Sequence, residues 1–124
     1  MLVATERRRQ PLEQAIADDD DAAIAAITAA ELLVGVELAS PRRRPKREAY
    51  VADLLEAIAI EDYTLATARA HADLLAAVHR AGRPRGAHDL IIAATALSSE
   101  RIVLTTDASG FAELPGVEAR VFPA

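Results

Sequence analysis

The chain has 124 residues, enough for one domain with a single hydrophobic core, and 52% of them are hydrophobic but only 3% aromatic. Charges interrupt every apolar run, which excludes a membrane-spanning helix, and the lack of cysteine excludes disulfides and thiolate metal sites. The net charge of −5 argues against binding of nucleic acid through bulk positive charge. Since the start of the chain has no signal-peptide pattern, we expect a cytoplasmic protein.

The basic residues are clustered and are nearly all arginine, with Lys46 as the only lysine. Arginine suits phosphate and carboxylate partners because its guanidinium is a planar fork of donors. Each arginine cluster either contacts such a ligand or is a solvated surface segment, and the sequence leaves both interpretations open. The clusters are residues 7–9, residues 42–47, and Arg83 with Arg85.

The first half of the chain predicts alternating helices and strands. Residues 10–17 predict a short helix. Four aspartates at 18–21 end this helix and predict a solvated loop. The apolar run at 22–27 predicts a buried strand. Thr28 with Glu31 fits a capping box that opens the next helix. A break at 40–45 separates this helix from another that reaches Ile58, and residues 59–61 predict a strand.

The second half repeats the alternation. Residues 64–80 carry the longest helical pattern, and residues 82–86 are a Gly- and Pro-rich loop. Residues 87–99 are apolar all round, which predicts a buried helix. Strands are predicted at 101–106 and 117–122, with a turn or short helix at 108–114. The whole pattern indicates an α/β fold with a parallel sheet between helical layers.

Three acids are expected to meet at one edge of this sheet. In a βα alternation the helix N-termini lie at the carboxyl edge of the sheet, where open α/β folds bind ligands. Glu31 and Asp89 belong to first turns of helices, and Asp107 follows the strand at 101–106. Each has a structural alternative: Glu31 completes a cap, Asp89 complements a helix dipole, and Asp107 begins a turn. Together, three converging carboxylates repel one another and favour a bound Mg²⁺ or Mn²⁺.

Three segments carry a resemblance to a known family. Residues 27–32 with Gly35, residues 82–96 and residues 104–111 resemble the acid-bearing segments of PIN-domain ribonucleases, the VapC-type toxins of VapBC toxin–antitoxin pairs. The resemblance covers nearly the whole chain. It implies a single PIN-like domain over residues 1–124, in three layers with a central parallel sheet flanked by helices.

The resemblance also implies an activity and partners. The activity would be Mg²⁺- or Mn²⁺-dependent cleavage of RNA, with Glu31, Asp89 and Asp107 as the metal-holding, catalytic acids. Supporting residues would be Thr105 and Thr106, which order the acids, and Arg83 and Arg85, which contact RNA phosphate. The partners would be a VapB-type antitoxin that covers the site and a second copy of the chain in a homodimer.

The chain departs from the family pattern at its start. The family opens with a central strand that ends in a catalytic aspartate, whereas residues 1–5 resemble only the tail of that segment. We therefore expect most of the first strand and its aspartate to be absent from this sequence, and the natural polypeptide to start upstream. If the sequence is complete, we expect a weakened or inactive nuclease.

Two other functions fit parts of the pattern. One is a PIN-like binding module with a crippled site, which acts in the assembly of antitoxin and operator complexes. The other is a phosphoacceptor receiver-like domain, which also gathers acids at a parallel sheet edge. That second site needs a lysine at a strand end, and Lys46 lies in a Pro- and Arg-rich turn instead.

Overall fold

A computed structural model of the chain describes residues 2–3 and 22–121. The described residues form β1 (Leu2–Val3), β2 (Ala23–Ala25), α1 (Ala26–Glu37), α2 (Arg44–Ala57), β3 (Ala59–Glu61), α3 (Leu65–Ala81), α4 (Ala87–Ser98), β4 (Val103–Thr105), a 3-10 helix (Ala108–Phe111) and β5 (Ala119–Val121). The helix predicted over residues 10–17 and the aspartate run at 18–21 lie outside this part of the chain. None of the described helices is long and apolar enough to cross a membrane.

The five strands form one parallel sheet in the order β3-β2-β1-β4-β5, which confirms the predicted α/β fold. The central strand β1 pairs with β2 on one side and with β4 on the other. Two residues, Leu2 and Val3, thus supply a short middle strand, whereas the sequence led us to expect little of this strand. No aspartate belongs to it.

Two hydrophobic clusters cover the two faces of the sheet, so the domain has three layers. Successive strand residues point to opposite faces. Ala23 and Ala25 of β2 belong to the cluster that also contains Leu74 of α3 and residues of α4. Ile24 between them belongs to the cluster formed with α1 and α2. Alanine predominates in β2, and its small side chain lets the helices approach the sheet closely.

The predicted start of α1 is wrong. β2 ends at Ala25, and the chain turns at once into a helix that begins at Ala26 without a side-chain cap. Thr28 is therefore the third helical residue, almost fully buried, rather than the N-cap. Glu31 consequently lies in the second turn of α1. Packing of Thr28 against the core outweighed its local preference for the cap position.

The direction of α3 also differs from the prediction. The expectation that every helix starts at the carboxyl edge fails because α3 and α4 form an antiparallel pair: Thr67 near the start of α3 hydrogen-bonds to Ser98 at the end of α4, 3.0 Å apart. Since α4 begins at the carboxyl edge, α3 begins at the opposite edge. The boundaries of α3 are otherwise as predicted, and Thr64 caps it.

The remaining elements agree with the predictions in type and order. The buried character of α4 is confirmed: residues 92–96 along its middle are all buried. The strands β2, β4 and β5 are each shorter than predicted, and a 3-10 helix occupies part of the turn expected after β4. The elements thus bring the carboxyl ends of β2 and β4, and the start of α4, to one side of the domain.

Candidate active site

A cavity of about 700 Å³ opens at the carboxyl edge of the sheet. In the sheet, β2 and β3 lie on one side of β1, and β4 and β5 lie on its other side. The direction in which strands are added therefore reverses at β1. Ligands of open α/β sheets bind at such a reversal. The cavity is lined by Glu31, Gly86, Ala87, His88, Asp89, Thr105, Thr106, Asp107, Ser109, Gly110 and Phe111.

The three predicted acids line this one cavity although they come from distant parts of the sequence. Glu31 comes from the second turn of α1, Asp89 from the first turn of α4, and Asp107 from the turn after β4. Thr105 and Thr106, the predicted supporting residues, line it as well. Chain topology therefore brings all five residues to the same surface.

The acids share the cavity without closing into a compact cluster. Within residues 2–3 and 22–121, no three His, Cys, Asp or Glu side chains are close enough together to hold a metal ion. The negative charge of Asp107 nevertheless acts on Asp89, since it contributes to a raised pKa of the Asp89 carboxyl.

Burial raises the pKa of the Asp89 carboxyl above its ordinary value. Desolvation disfavours the charged form of an acid, and it is the largest effect here. The neighbouring His88 opposes the rise in pKa, and the Asp107 carboxylate adds to it. A carboxyl group with a shifted pKa in a cleft is characteristic of functional sites. A cation bound in the cavity would lower the pKa of Asp89 again.

Thr105 fixes the turn that carries Asp107. Its hydroxyl accepts a hydrogen bond from the Asp107 amide at 3.2 Å and donates to the Asp107 carbonyl at 3.1 Å. The Asp107 carboxylate in turn accepts from the Ser109 amide at 2.9 Å and so caps the 3-10 helix. Asp107 thus begins the turn after β4, as its sequence context predicted, and it also lines the cavity.

His88 contacts Glu31, which the sequence did not predict. Its Nδ1 lies 3.1 Å from Oε1 of Glu31, so a proton on Nδ1 donates to the carboxylate. The contact links the first turn of α4 to α1 across the cavity. The side chain of His88 is 59% exposed and lies at the mouth of the site.

Two glycines leave room for the Asp89 carboxylate. A Cβ built on Gly110 would lie 3.1 Å from Cγ of Asp89 and closer still to Oδ2, which is a clash. A Cβ on Gly86 would be in ordinary contact, 3.7 Å from Oδ2. Only at Gly110 does the backbone approach so closely that a side chain must displace the carboxylate. Nothing in the sequence around Gly110 indicated this contact.

Arg83 and Arg85 do not line the cavity. Both line a separate groove with Leu75, Val78 and Leu90, between the end of α3 and the start of α4. The guanidinium of Arg83 pairs with Glu113, and that of Arg85 donates to the Ala112 carbonyl at 2.7 Å. Both contacts hold the loop before α4 against the segment after the 3-10 helix. In this structure these arginines therefore stabilise two segments that flank the cavity, and they do not line it.

The donor set of the cavity fits a hard divalent cation. Its carboxylates and hydroxyls are all oxygen donors, as Mg²⁺ and Mn²⁺ prefer. Mg²⁺ keeps several of its waters and takes only one or two carboxylates directly, so it does not require a compact cluster of acids. Glu31, Asp89 and Asp107 are the residues that would hold such an ion.

A family model matches the chain over residues 1–117, and its description is "PIN domain". No curated protein sequence matches the chain. The chain is similar to a chain in the crystal structure of VapBC-5, a member of the VapBC family of toxin–antitoxin systems, from Mycobacterium tuberculosis. The two are 30% identical, with a TM-score of 0.77, and the match covers 97% of this chain and 94% of that chain.

Two further solved structures have similar folds at lower identity. The structure of DNA-bound VapBC from Salmonella typhimurium matches with 23% identity and a TM-score of 0.84, over 97% of this chain and 96% of that one. VapBC2 from Rickettsia felis, bound to a DNA fragment from its promoter, matches with 18% identity and a TM-score of 0.82, over 98% and 97%.

Proposed function

The chain belongs to the PIN domain family, as a domain of the VapC type, and we propose that it is a Mg²⁺- or Mn²⁺-dependent endoribonuclease toxin neutralised by a VapB-type antitoxin. The observation that carries this proposal is the meeting of Glu31, Asp89 and Asp107 in one cavity from three distant segments. Structural roles are present for Asp89, in the first turn of α4, and for Asp107, which caps the 3-10 helix, but neither role requires the three acids to face the same space.

In the proposed reaction, the acids provide negative charge for a cation and leave room for an RNA phosphodiester. The bound ion would polarise a phosphoryl oxygen and lower the pKa of a water molecule. Glu31, Asp89 and Asp107 would hold it, with His88 orienting Glu31 and Thr105 fixing the turn of Asp107. Gly110 keeps the Asp89 carboxylate free to turn into the cavity.

An exposed apolar surface beside the cavity supports an antitoxin partner. Leu33 and Val34 of α1, and Leu38 at its C-cap, are between 49% and 80% exposed, and they follow Glu31 along the chain. Contiguous exposed apolar residues mark protein-binding surfaces. An antitoxin segment packed on this surface would also cover the mouth of the cavity and exclude RNA from it.

The proposal includes a homodimer and a cytoplasmic site of action. Leu65 and Leu75 on α3 are 67% and 47% exposed, on the opposite helical layer from α1. They supply apolar surface for a second copy that does not overlap the surface proposed for the antitoxin. The cytoplasm follows from the proposed RNA substrate and from the cysteine-free sequence.

A cleavage assay on structured and single-stranded RNA tests the function. We expect cleavage that requires Mg²⁺ or Mn²⁺, is abolished by a chelator, and falls roughly 100-fold or more in Asp89→Asn and Asp107→Asn. Asp73→Asn is the matched control, because Asp73 is exposed on α3 and does not line the cavity. Equal cleavage by the parent and Asp89→Asn would refute the nuclease.

The second candidate function is the PIN-like binding module with a crippled site. The central strand β1, Leu2–Val3, carries no aspartate, and this is the observation that favours it. This candidate predicts binding of an antitoxin, measured by co-purification from a strain expressing both, without RNA cleavage at any metal concentration. A nuclease that is inhibited by added antitoxin would exclude it.

A further inference from the structure

The guanidinium of Arg47 lies against α1 at Gly35, where a larger side chain would displace it. A Cβ built on Gly35 would lie 3.3 Å from Nη1 of Arg47, so the guanidinium rests where a side chain at this position would begin. Arg47 reaches this place from the first turn of α2. The absence of a side chain at Gly35 therefore creates a seat on α1 for the charged end of Arg47.

The guanidinium in this seat is not used by the fold. Among the described residues, the side chain of Arg47 forms no hydrogen bond or ion pair, whereas that of its neighbour Arg44 pairs with Glu37 and with Glu48. Arg47 is nevertheless half-buried, which limits its motion. A positioned arginine with unused donors is suited to an anionic ligand, because its fork binds phosphate or carboxylate in a bidentate manner.

The seat lies one helical turn from the cavity. Gly35 follows Glu31 by four residues, so both lie on the same face of α1, about 6 Å apart along the helix axis. A nucleic-acid strand advances by between one and two phosphates over such a distance, at about 3.4 Å per phosphate along a duplex strand. A strand with one phosphate at the acids thus has a neighbouring phosphate beside Arg47.

A positive charge at this position offsets part of the negative charge of the site. The cavity is lined by three acids and the chain carries a net charge of −5, so an approaching polyanion is repelled. Arg83 and Arg85, the arginines expected to offset this repulsion, lie outside the cavity and are engaged in the fold. Arg47 supplies a positive group beside Gly35, about one helical turn along α1 from Glu31.

We propose that Arg47, seated over Gly35, binds a backbone phosphate of the RNA strand next to the phosphate that is cleaved. This inference rests on the proposed ribonuclease function and assigns one contact of its substrate. The contact is to the sugar–phosphate backbone, so it contributes affinity and position but no base preference.

Binding of a labelled single-stranded RNA of mixed sequence, measured with Mg²⁺ in the Asp89→Asn background, tests the contact without cleavage. We expect Arg47→Gln to weaken binding about fivefold or more and to reduce the slope of log K against log salt by roughly 0.7, the value for one phosphate contact on a single strand. Arg69→Gln is the matched control, because Arg69 is exposed on α3 near the end that packs against Ser98, away from Asp89.

Substitutions of Gly35 test the seat while they keep the charge of Arg47. Gly35→Leu, which fills the seat, is expected to reproduce the weakened RNA binding of Arg47→Gln, and Gly35→Ala to have a smaller effect, since its single Cβ displaces the guanidinium by only a few tenths of an ångström. Circular dichroism and thermal unfolding establish that each variant is folded.

The possible outcomes separate this inference from the proposed function. If the Asp89→Asn protein binds RNA and Arg47→Gln binds it equally well, the inference is overturned and the ribonuclease stands. If Arg47→Gln weakens capture of the antitoxin but not of RNA, Arg47 recognises a protein carboxylate and the inference is again overturned. If the parent neither binds nor cleaves RNA, the proposed function fails and the inference fails with it.

Discussion

The backbone of Gly110 lies against the carboxylate of Asp89, close enough that a Cβ on Gly110 would be 3.1 Å from Cγ of Asp89. The contact joins the 3-10 helix after β4 to the first turn of α4, the two segments that supply Asp107 and Asp89. The orientation of one predicted catalytic acid thus depends on the absence of a side chain in the segment that carries another.

Gly110→Ala is expected to turn the Asp89 carboxylate away from its position and to reduce RNA cleavage by about 10- to 100-fold. Displacement of a reacting group by about 1 Å is sufficient for such a loss. Gly86→Ala is the control, because a Cβ there makes only an ordinary contact with the same carboxylate. Cleavage rates of the two variants check this, and equal rates would show that the approach of Gly110 does not orient Asp89.

His88→Ala is expected to weaken Mn²⁺ binding by about 10-fold, since groups that orient a metal-holding carboxylate contribute 10- to 100-fold and this one is partly exposed. His88→Asn retains a donor near the position of Nδ1 and should recover part of the affinity. His79→Ala, an exposed histidine outside the cavity, should have no effect. Calorimetric titration with Mn²⁺ measures all three, and an unchanged affinity in His88→Ala would contradict the proposed positioning of Glu31.

The raised pKa of Asp89 predicts how stability depends on pH. Between the ordinary value of 3.8 and the higher pKa in the fold, the folded protein binds more protons than the unfolded chain, so the free energy of unfolding decreases as pH rises. Above that range the charged, partly desolvated carboxylate is a constant penalty on the folded state. Asp89→Asn removes the penalty and should unfold at a higher temperature than the parent near neutral pH without divalent ions.

Two conditions check the origin of this difference. The advantage of Asp89→Asn should disappear in acid, below the ordinary pKa, where the parent carboxyl is protonated in both states. Added Mg²⁺ should raise the unfolding temperature of the parent but not of the variant, because a ligand stabilises the state that binds it. A parent that is more stable than Asp89→Asn at neutral pH without metal would contradict the assigned desolvation.

Thr28→Val is expected to stabilise the protein by about 1 kcal/mol. The side chain is almost fully buried, and its hydroxyl has no hydrogen-bond partner among the described residues, so replacement by a methyl group of similar shape removes a desolvation cost. Thr28→Ser keeps the hydroxyl and loses a buried methyl group, and it should be less stable than the parent. Chemical unfolding compares the three proteins; a destabilised Thr28→Val would mean that the hydroxyl is satisfied.

Local patterns predicted the elements well where sequence and packing favour the same structure. The apolar residues of α4, the long helical pattern of α3 and the strand β3 were all predictable, because each depends on neighbours within a few residues. Thr28 was predicted wrongly, because the same residue satisfies the pattern of a cap and the requirements of the core. A sequence window cannot rank those two against each other.

The sequence by itself determined the class of fold and placed Glu31 and Asp107 after strands of a parallel sheet, whose carboxyl ends lie at one edge. The antiparallel packing of α3 and α4 decided that Asp89 lies at the same edge. The tertiary structure decided what surrounds each acid: His88 beside Glu31, Gly110 against Asp89, and the placement of Arg83 and Arg85 outside the cavity. These contacts join residues far apart in the chain, and their geometry depends on how helices pack across the sheet. Periodicity and spacing carry no information about that packing.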